Sequence, residues 1–299
     1  MSENGKIIKS IAGFYEVACG DTVYRCRAKG LFRALGEKPL VGDDVLFDIT
    51  DTVSVPPEGN VVKLLERKNA LIRPNVVNVD QALLVFAITD PLPSFNMLDR
   101  FLISMNMKDL PTVLCFNKTD IAPEGAVEEL RSVYENCGCQ VLFISVRHGE
   151  EDLDTVRDCM RGKTTVITGP SGVGKSSLIN KLCPHANMET GELSRKIARG
   201  KNTTRHVELL RAEWADNTFL VDTPGFTSLY LLDLEAEDVK YYYPEFDEYA
   251  PYCRFQGCNH ISEPDCRVKQ ALQEESISRI RYRNYTEIFR EIKERKPVY

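Results

Sequence analysis

The chain has 299 residues, room for two or three small domains, and its 43% hydrophobic content lets it bury a sizeable core. Thirty-eight basic against forty-four acidic residues leave a net charge of −6, which argues against sequence-blind coating of nucleic acid but leaves room for a local basic face. No run approaches the roughly eighteen apolar residues of a membrane span, and the opening MSENGKIIKSIAGF has no apolar leader core, so a cytoplasmic location without membrane contact is expected. Ten scattered cysteines fit reduced thiols better than a disulfide framework.

Residues 1–70 read as short strands. Lys6–Tyr15, Val17–Ala28 and Asp44–Ile49 carry β-branched and aromatic residues, with turns at Cys19-Gly20-Asp21, Gly36–Pro39 and Pro56–Asn60. A small closed barrel protects such edges. Its basic and acidic residues are equal in number, so composition offers no charged binding face, and a packing module and an RNA- or protein-binding module both remain open. From about residue 75 to 230 buried strands alternate with amphipathic helices, the pattern of an α/β fold with a mostly parallel sheet. Strands are expected at Gln81–Thr89, Pro111–Phe116, Gln140–Ser145, Thr164–Thr168, Val207–Ala212 and Thr218–Asp222. Helices are expected at Asn96–Lys108, Glu124–Asn136, Glu150–Met160 and Lys175–Leu182. Between Asp233 and Glu275 eleven acidic residues face four basic ones. The final segment, helical up to Pro297, carries Arg279, Arg281, Arg283, Arg290, Lys293, Arg295 and Lys296; it is either a solvated face or an RNA contact.

Gly169-Pro170-Ser171-Gly172-Val173-Gly174-Lys175-Ser176 fits G-x-x-x-x-G-K-S between a strand and a helix, the context a phosphate loop needs. Its glycines let successive amides face an anion at a helix N-terminus. Lys175 is expected to reach the outer phosphates and Ser176 to ligate Mg²⁺, with Val173 and Ser177 completing the framework. Asn117-Lys118-Thr119-Asp120 follows the strand at 111–116 and selects the base. A carboxylate only accepts hydrogen bonds, and guanine offers it two adjacent donors where adenine offers a lone pair. Asn117 is expected to brace the loops, and the stem of Lys118 to lie over the base. Asp222-Thr223-Pro224-Gly225 supplies a carboxylate that holds Mg²⁺ through water and, at Gly225, an amide that senses the γ phosphate. One threonine of Thr203-Thr204 completes the Mg²⁺ shell. Phe226 stands where many GTPases have a water-positioning glutamine, so turnover should be slow; His206 is the best candidate to orient water, against a plain loop role. His148 either borders the base or lies in a solvated turn.

Cys253, Cys258, His260 and Cys266 place three thiols and an imidazole close together, the soft four-ligand set of a closed structural zinc site, with unmetallated cysteines as the alternative. The remaining cysteines (19, 26, 115, 137, 139, 159 and 183) read as buried thiols.

With N-K-T-D first, Ser145-Val146 second, and the phosphate loop, Thr203-Thr204 and D-T-P-G following, the chain resembles the translation-factor-related GTPases and, within them, the circularly permuted ribosome-assembly family RsgA, also called YjeQ or YloQ. The resemblance implies that Ser145 and Val146 form the base-contacting loop, with Val146 where alanine is usual. It favours Thr204 over Thr203 for Mg²⁺, gives His206 the catalytic role, and matches all four ligands of a C-x4-C-x-H-x5-C zinc site. The fold it implies is an OB-fold β-barrel at 1–70, a circularly permuted P-loop GTPase domain at 71–230 and a zinc-binding, mostly helical domain at 231–299. It also implies GTP hydrolysis to GDP and phosphate by a monomer on the small (30S) ribosomal subunit, contacting 16S rRNA and neighbouring proteins late in maturation, with hydrolysis coupled to release. A signalling switch that binds only a protein effector, and a structural role holding nucleotide without turnover, are the competing readings.

Overall fold

A computed structural model of the chain describes residues 2–28, 32, 37–71, 74–188, 207–222, 231 and 233–295. Five strands open it: β1 (Ser2–Ile11), β2 (Phe14–Cys19), β3 (Thr22–Ala28), β4 (Asp44–Asp51) and β5 (Glu58–Leu64). They form a closed barrel in the order β1-β2-β3-β5-β4, with β4 returning antiparallel to β1 and β3 running parallel to β5, an OB-like arrangement. The pleat sends Ile7, Val17, Cys26, Val45, Phe47 and Val61 inward, all fully buried. Closure corrects two boundaries read from sequence. The run Lys6–Tyr15 breaks at Ala12-Gly13, where both residues take positive φ, while the expected turn at Cys19–Asp21 separates β2 from β3. Glu58–Asn60 is strand rather than turn, because β5 must pair with both β3 and β4 to close the ring.

The connector is folded too. A short hairpin, β6 (Ala70–Leu71) with β7 (Val76–Val77), follows the barrel. Asn69 Nδ2 donates to the Val79 carbonyl at 2.7 Å while its Oδ1 accepts from the Val79 amide at 3.0 Å. Arg67 holds the wholly buried carboxylate of Asp43 through two hydrogen bonds, at 2.6 and 2.7 Å.

The central region alternates β8 (Gln81–Ala87), α1 (Phe95–Asn106), β9 (Thr112–Asn117), α2 (Ala126–Tyr134), β10 (Gln140–Ile144), α3 (Glu150–Met160), β11 (Thr164–Thr168), α4 (Lys175–Leu182), β12 (Leu209–Arg211) and β13 (Phe219–Asp222). The strands follow the order β10-β9-β8-β11-β13-β12. β10 with β9 and β11 with β13 pair parallel, and only the short β12 is seen to run antiparallel. β8 and β11 are buried at every position, as expected of strands covered on both faces. The chain divides into two compact units: Met1–Ala82, Leu153–Thr168 and Lys175–Gly225 make the first, and Leu83–Asp152, Gly169–Gly174 and Phe226–Tyr299 the second. Within the first, β12 is tied to the barrel by the Lys9–Glu208 ion pair at 2.8 Å and by Arg211 on Asp21 at 2.7 Å.

The C-terminal segment is built from 3-10 turns at Ala236–Tyr242, Pro244–Phe246 and Ala250–Tyr252, then α5 (Arg267–Gln273) and α6 (Arg279–Glu294). Val239, Tyr243, Phe246, Val268, Tyr285 and Ile288 form its core with Ile103 of α1. Of the expected basic helix, Arg279, Arg283, Arg290 and Lys293 are exposed, but one residue is corrected. Arg281 is 1% exposed and wholly engaged, with Nη1 donating to Asp99 at 2.5 Å, Nε to Glu245 at 2.7 Å and Nη2 to Glu245 at 3.1 Å. Tyr134, Tyr243 and Asn284 complete the shell of Asp99, at 3.2, 3.4 and 2.8 Å. A charge counted as surface in the sequence is a core element, because two carboxylates and two aromatic rings share its pocket. Among the described residues no helix is long and apolar enough to cross a membrane.

Candidate nucleotide site and metal cluster

The second unit holds the loops expected to face the base. β9 ends at Asn117, 3% exposed, and the chain then turns through Lys118 at φ 72 into a single 3-10 turn at Thr119–Ile121. Asn117 is the hub of three loops. Its Nδ2 donates to the Val173 carbonyl at 2.8 Å, and its Oδ1 accepts from the Val146 amide at 3.2 Å. Its own carbonyl accepts from Ile88 at 3.0 Å, which joins the end of β8. One buried side chain therefore pins the base loops to the glycine-rich loop Gly169–Gly174.

Two glycines make that approach sterically possible. At Gly174, φ 101, a β-carbon would stand 2.3 Å from Asn117 Nδ2. At Gly169, φ 143, it would stand 2.0 Å from the Val85 carbonyl oxygen. Any side chain would push the loop off its neighbours, which is why the pattern demands glycine at both ends. Val173 is buried among the framework, while Ser171 and Gly172 are exposed at the loop's tip.

Asp120 is held ready. Ser145 Oγ donates to its Oδ1 at 2.8 Å, and its second oxygen lies 3.9 Å from His148 Nε2. Ser145 is itself fixed: its amide donates to Asp152 Oδ2 at 2.8 Å and its hydroxyl accepts from the His148 amide at 3.3 Å. Lys118 Nζ donates to the Asp90 carbonyl, which aligns its stem beside this loop. The role of Ser145 as a support for Asp120, and of Asp152 behind it, were not legible in the motifs. Both depend on β9 and β10 lying side by side in parallel register, with Ile144 opposite Asn117.

The first unit carries the residues expected to meet the phosphates. α4 starts at Lys175, immediately after the glycine loop, so Ser176 and Ser177 occupy its first turn. Burial pulls the Lys175 ammonium below its ordinary range, and the Asp222 carboxylate at the end of β13 pulls the other way. Thr203, Thr204, His206 and Gly225 lie outside the described residues.

The four metal-ligand candidates come together. One donor atom from each of Cys253, Cys258, His260 and Cys266 lies within 4.8 Å of every other. His260 Nδ1 is 3.4 Å from Cys266 Sγ and 3.6 Å from Cys253 Sγ, and the latter two sulfurs are 3.8 Å apart. Zinc–sulfur bonds of about 2.3 Å in a tetrahedron require sulfurs spaced about 3.8 Å, so the donor set fits one zinc ion. Burial lowers the His260 imidazole to about 4, which keeps it in the neutral, ligating form. The cluster is braced by its surroundings. Tyr282 donates to the His260 carbonyl at 2.6 Å, Tyr285 to that of Asn259, and Glu263 accepts from the Asn259 and Ile261 amides at 2.8 and 2.9 Å.

Two other expectations change. Cys19, Cys139 and Cys159 are only half-buried, because each sits at an element end rather than in a core. The barrel, neutral by count, carries a basic-aromatic stack: Arg25 and Arg27 of β3 lie 4.0 and 4.8 Å from the ring of Phe14 on β2. Period-two alternation puts both arginines on the outer face, which a charge count does not reveal.

The sequence model of the RsgA GTPase family matches residues 64–232, and that of the RsgA N-terminal domain matches residues 4–54. A protein of Agathobacter rectalis named small ribosomal subunit biogenesis GTPase RsgA is 50% identical over 98% of this chain and 99% of its own length. A Bacillus cereus protein of the same name is 42% identical over 99% of both chains. Among solved structures, YloQ, a circularly permuted GTPase, superimposes with a TM-score of 0.79 at 35% identity, covering 100% of this chain and 98% of that one. YjeQ from Thermotoga maritima gives 0.80 at 31% identity over 99% and 100%. Permuted motif order, barrel, cysteine–histidine cluster and full-length similarity agree, and the chain belongs to the RsgA GTPase family.

Proposed function

We propose that this protein hydrolyses GTP on the small ribosomal subunit late in that subunit's maturation, contacting rRNA and leaving as GTP becomes GDP. The observation that carries the nucleotide part is Asn117, whose side chain links the base loops to the phosphate loop at 2.8 and 3.2 Å. Asp120, oriented by Ser145, accepts from the two guanine donors; Val146 offers backbone and Lys118 covers the base plane. Amides of Gly169–Gly174 and the ammonium of Lys175 take the phosphates, and Ser176 and Thr204 would hold Mg²⁺, with Asp222 reaching it through water. Mg²⁺ neutralises phosphate charge when bound. His206 orients the attacking water, Phe226 shields the site, and the Gly225 amide reads the γ phosphate. Cys253, Cys258, His260 and Cys266 would hold one structural zinc.

The ribosomal part rests on the names of the relatives and on two features of this chain. The Arg25–Phe14–Arg27 stack offers charge and a ring to phosphate and base on the outer face of an OB-like barrel. A zinc-stapled segment follows the motif D-T-P-G directly, so loss of the γ phosphate is felt by the C-terminal residues. The working division is barrel 1–70, GTPase 71–230 and zinc segment 231–299, in a cytoplasmic monomer.

Multiple-turnover phosphate release tests the reading. Purified small subunits should stimulate it at least about tenfold, large subunits should not, and His206→Ala should remove the stimulated rate. Equal rates with and without small subunits would overturn the ribosomal assignment. Cosedimentation with small subunits should be strong with a non-hydrolysable GTP analogue and weak with GDP.

A further inference from the structure

The turn from α2 into β10 carries Cys137-Gly138-Cys139, which the nucleotide and metal sites do not use. The two sulfurs are 3.3 Å apart, already in contact. Gly138 takes φ 81, and a β-carbon there would stand 2.8 Å from Pro244 Cγ, so the turn is held from the far side. We propose that Cys137 and Cys139 are a peroxide-oxidisable dithiol that closes a reversible disulfide within this turn.

A disulfide needs the sulfurs at about 2.05 Å, so closing the pair requires a movement of little more than 1 Å. The two thiols are unequal. The contact with Cys139 lowers the Cys137 thiol, and the charge of Arg281 adds to this. The same contact, with burial, raises Cys139. Cys137 is thus the more readily deprotonated thiol and Cys139 the resolving one, the arrangement of oxidation-sensitive pairs. Cys26 and Cys183 give the contrast, pushed up to about 12 and about 11 by burial. Cys137 is buried, but Cys139 beside it is half-buried at the turn, and hydrogen peroxide is small enough to reach the contact between them from that side.

In the first step the Cys137 thiolate attacks one peroxide oxygen. The O–O bond breaks, Cys137 becomes a sulfenic acid, and the leaving hydroxide takes a proton to become water. In the second, Cys139 sulfur attacks Cys137 sulfur. The S–S bond forms, the S–O bond breaks, and water departs with the Cys139 proton. The two sulfurs lose two electrons and the peroxide gains them.

Trypsin isolates the pair, because Ser132–Arg147 contains these two cysteines and no others. Full-length protein supplied with zinc is treated with hydrogen peroxide, quenched with iodoacetamide, digested and weighed. The peptide should be two hydrogens lighter and carry no alkyl group, and dithiothreitol before alkylation should restore two. This should proceed at least about ten times faster than oxidation at Cys26 or Cys183. In Cys139→Ser, dimedone should trap a sulfenic acid at Cys137. The proposal falls if both thiols remain alkylatable while Cys26 or Cys183 oxidises. It falls equally if either thiol passes to sulfinic acid without a disulfide, or if dimedone labels Cys139 in Cys137→Ser faster than Cys137 in Cys139→Ser. The wild-type mass measurement decides even where a variant does not fold.

Discussion

The loops around Asn117 and the C-terminal segment around Arg281 belong to one compact unit yet spend their polar groups in opposite ways. Around Asn117 the side chains are fixed to each other, with one Asp120 oxygen on Ser145 and the other 3.9 Å from His148 Nε2. Around Arg281 every charge is consumed internally: Asp99 and Glu245 take the guanidinium, and three further donors close the shell. Removing a group from the first region should cost binding, and removing one from the second should cost the fold. A buried pair that loses one member leaves an uncompensated charge, whereas a ligand-facing carboxylate leaves only a weaker ligand.

Metal removal tests the structural region most severely. Structural zinc sites carry roughly 10–16 kcal/mol of apparent binding free energy near pH 7, so a strong chelator should melt the C-terminal segment, seen by near-ultraviolet circular dichroism of its tyrosines. Burial lifts the metal-free Cys258 thiol to about 12, and zinc must displace that proton. Occupancy should therefore rise with pH and fall on acidification, measured by metal analysis after dialysis. His260, held neutral down to about 4, does not set that limit.

Arg281→Met comes next. It leaves Asp99 and Glu245 buried without their cation, and unfolding in urea should show a loss of about 3–5 kcal/mol. Were the loss below about 1 kcal/mol, the two regions would not differ as argued.

Asp120→Asn should do the reverse. Its stability should stay within about 1 kcal/mol, while GTP affinity by calorimetry drops about 100-fold, because an amide nitrogen then faces a guanine donor. Xanthosine triphosphate, with a carbonyl in place of the 2-amino group, should bind the variant better than GTP does. The smallest effect is expected at the boundary between the two behaviours. Gly174→Ala sets a methyl 2.3 Å from Asn117 Nδ2, at φ 101, and should lower both stability and GDP affinity, each by about 1–2 kcal/mol. A change in only one of them would show that Asn117 does not couple the loops to the ligand.

Local signals carried most of the reading. Burial on both faces is written in β8 as QALLVFA, and the glycine loop declares itself because its two ends admit no side chain. The barrel was legible as short strands but not in its breaks, since the turn at Ala12-Gly13 and the start of β5 at Glu58 are set by ring closure rather than by the residues' own preferences. Of the candidate site, the motifs are visible in the sequence, and the supports of Asp120 are not. Ser145 under Asp120 and Asp152 behind Ser145 require knowing which strands are neighbours. One residue of the basic helix departs from a solvated face. Arg281 has the same side chain as Arg279 and Arg283 beside it, and only the packing of α6 on α1 turns it inward.

What the sequence by itself determined is chemistry that depends on neighbours in the chain: a glycine loop before a helix, an N-K-T-D after a strand, four soft ligands in one short segment. Their order, with N-K-T-D ahead of the phosphate loop, was likewise visible there. The tertiary structure alone decided which charges face solvent, which thiols touch, and which side chain joins the loops. Those outcomes depend on distances between segments far apart in the chain, and on desolvation, which no residue carries until its neighbours are in place.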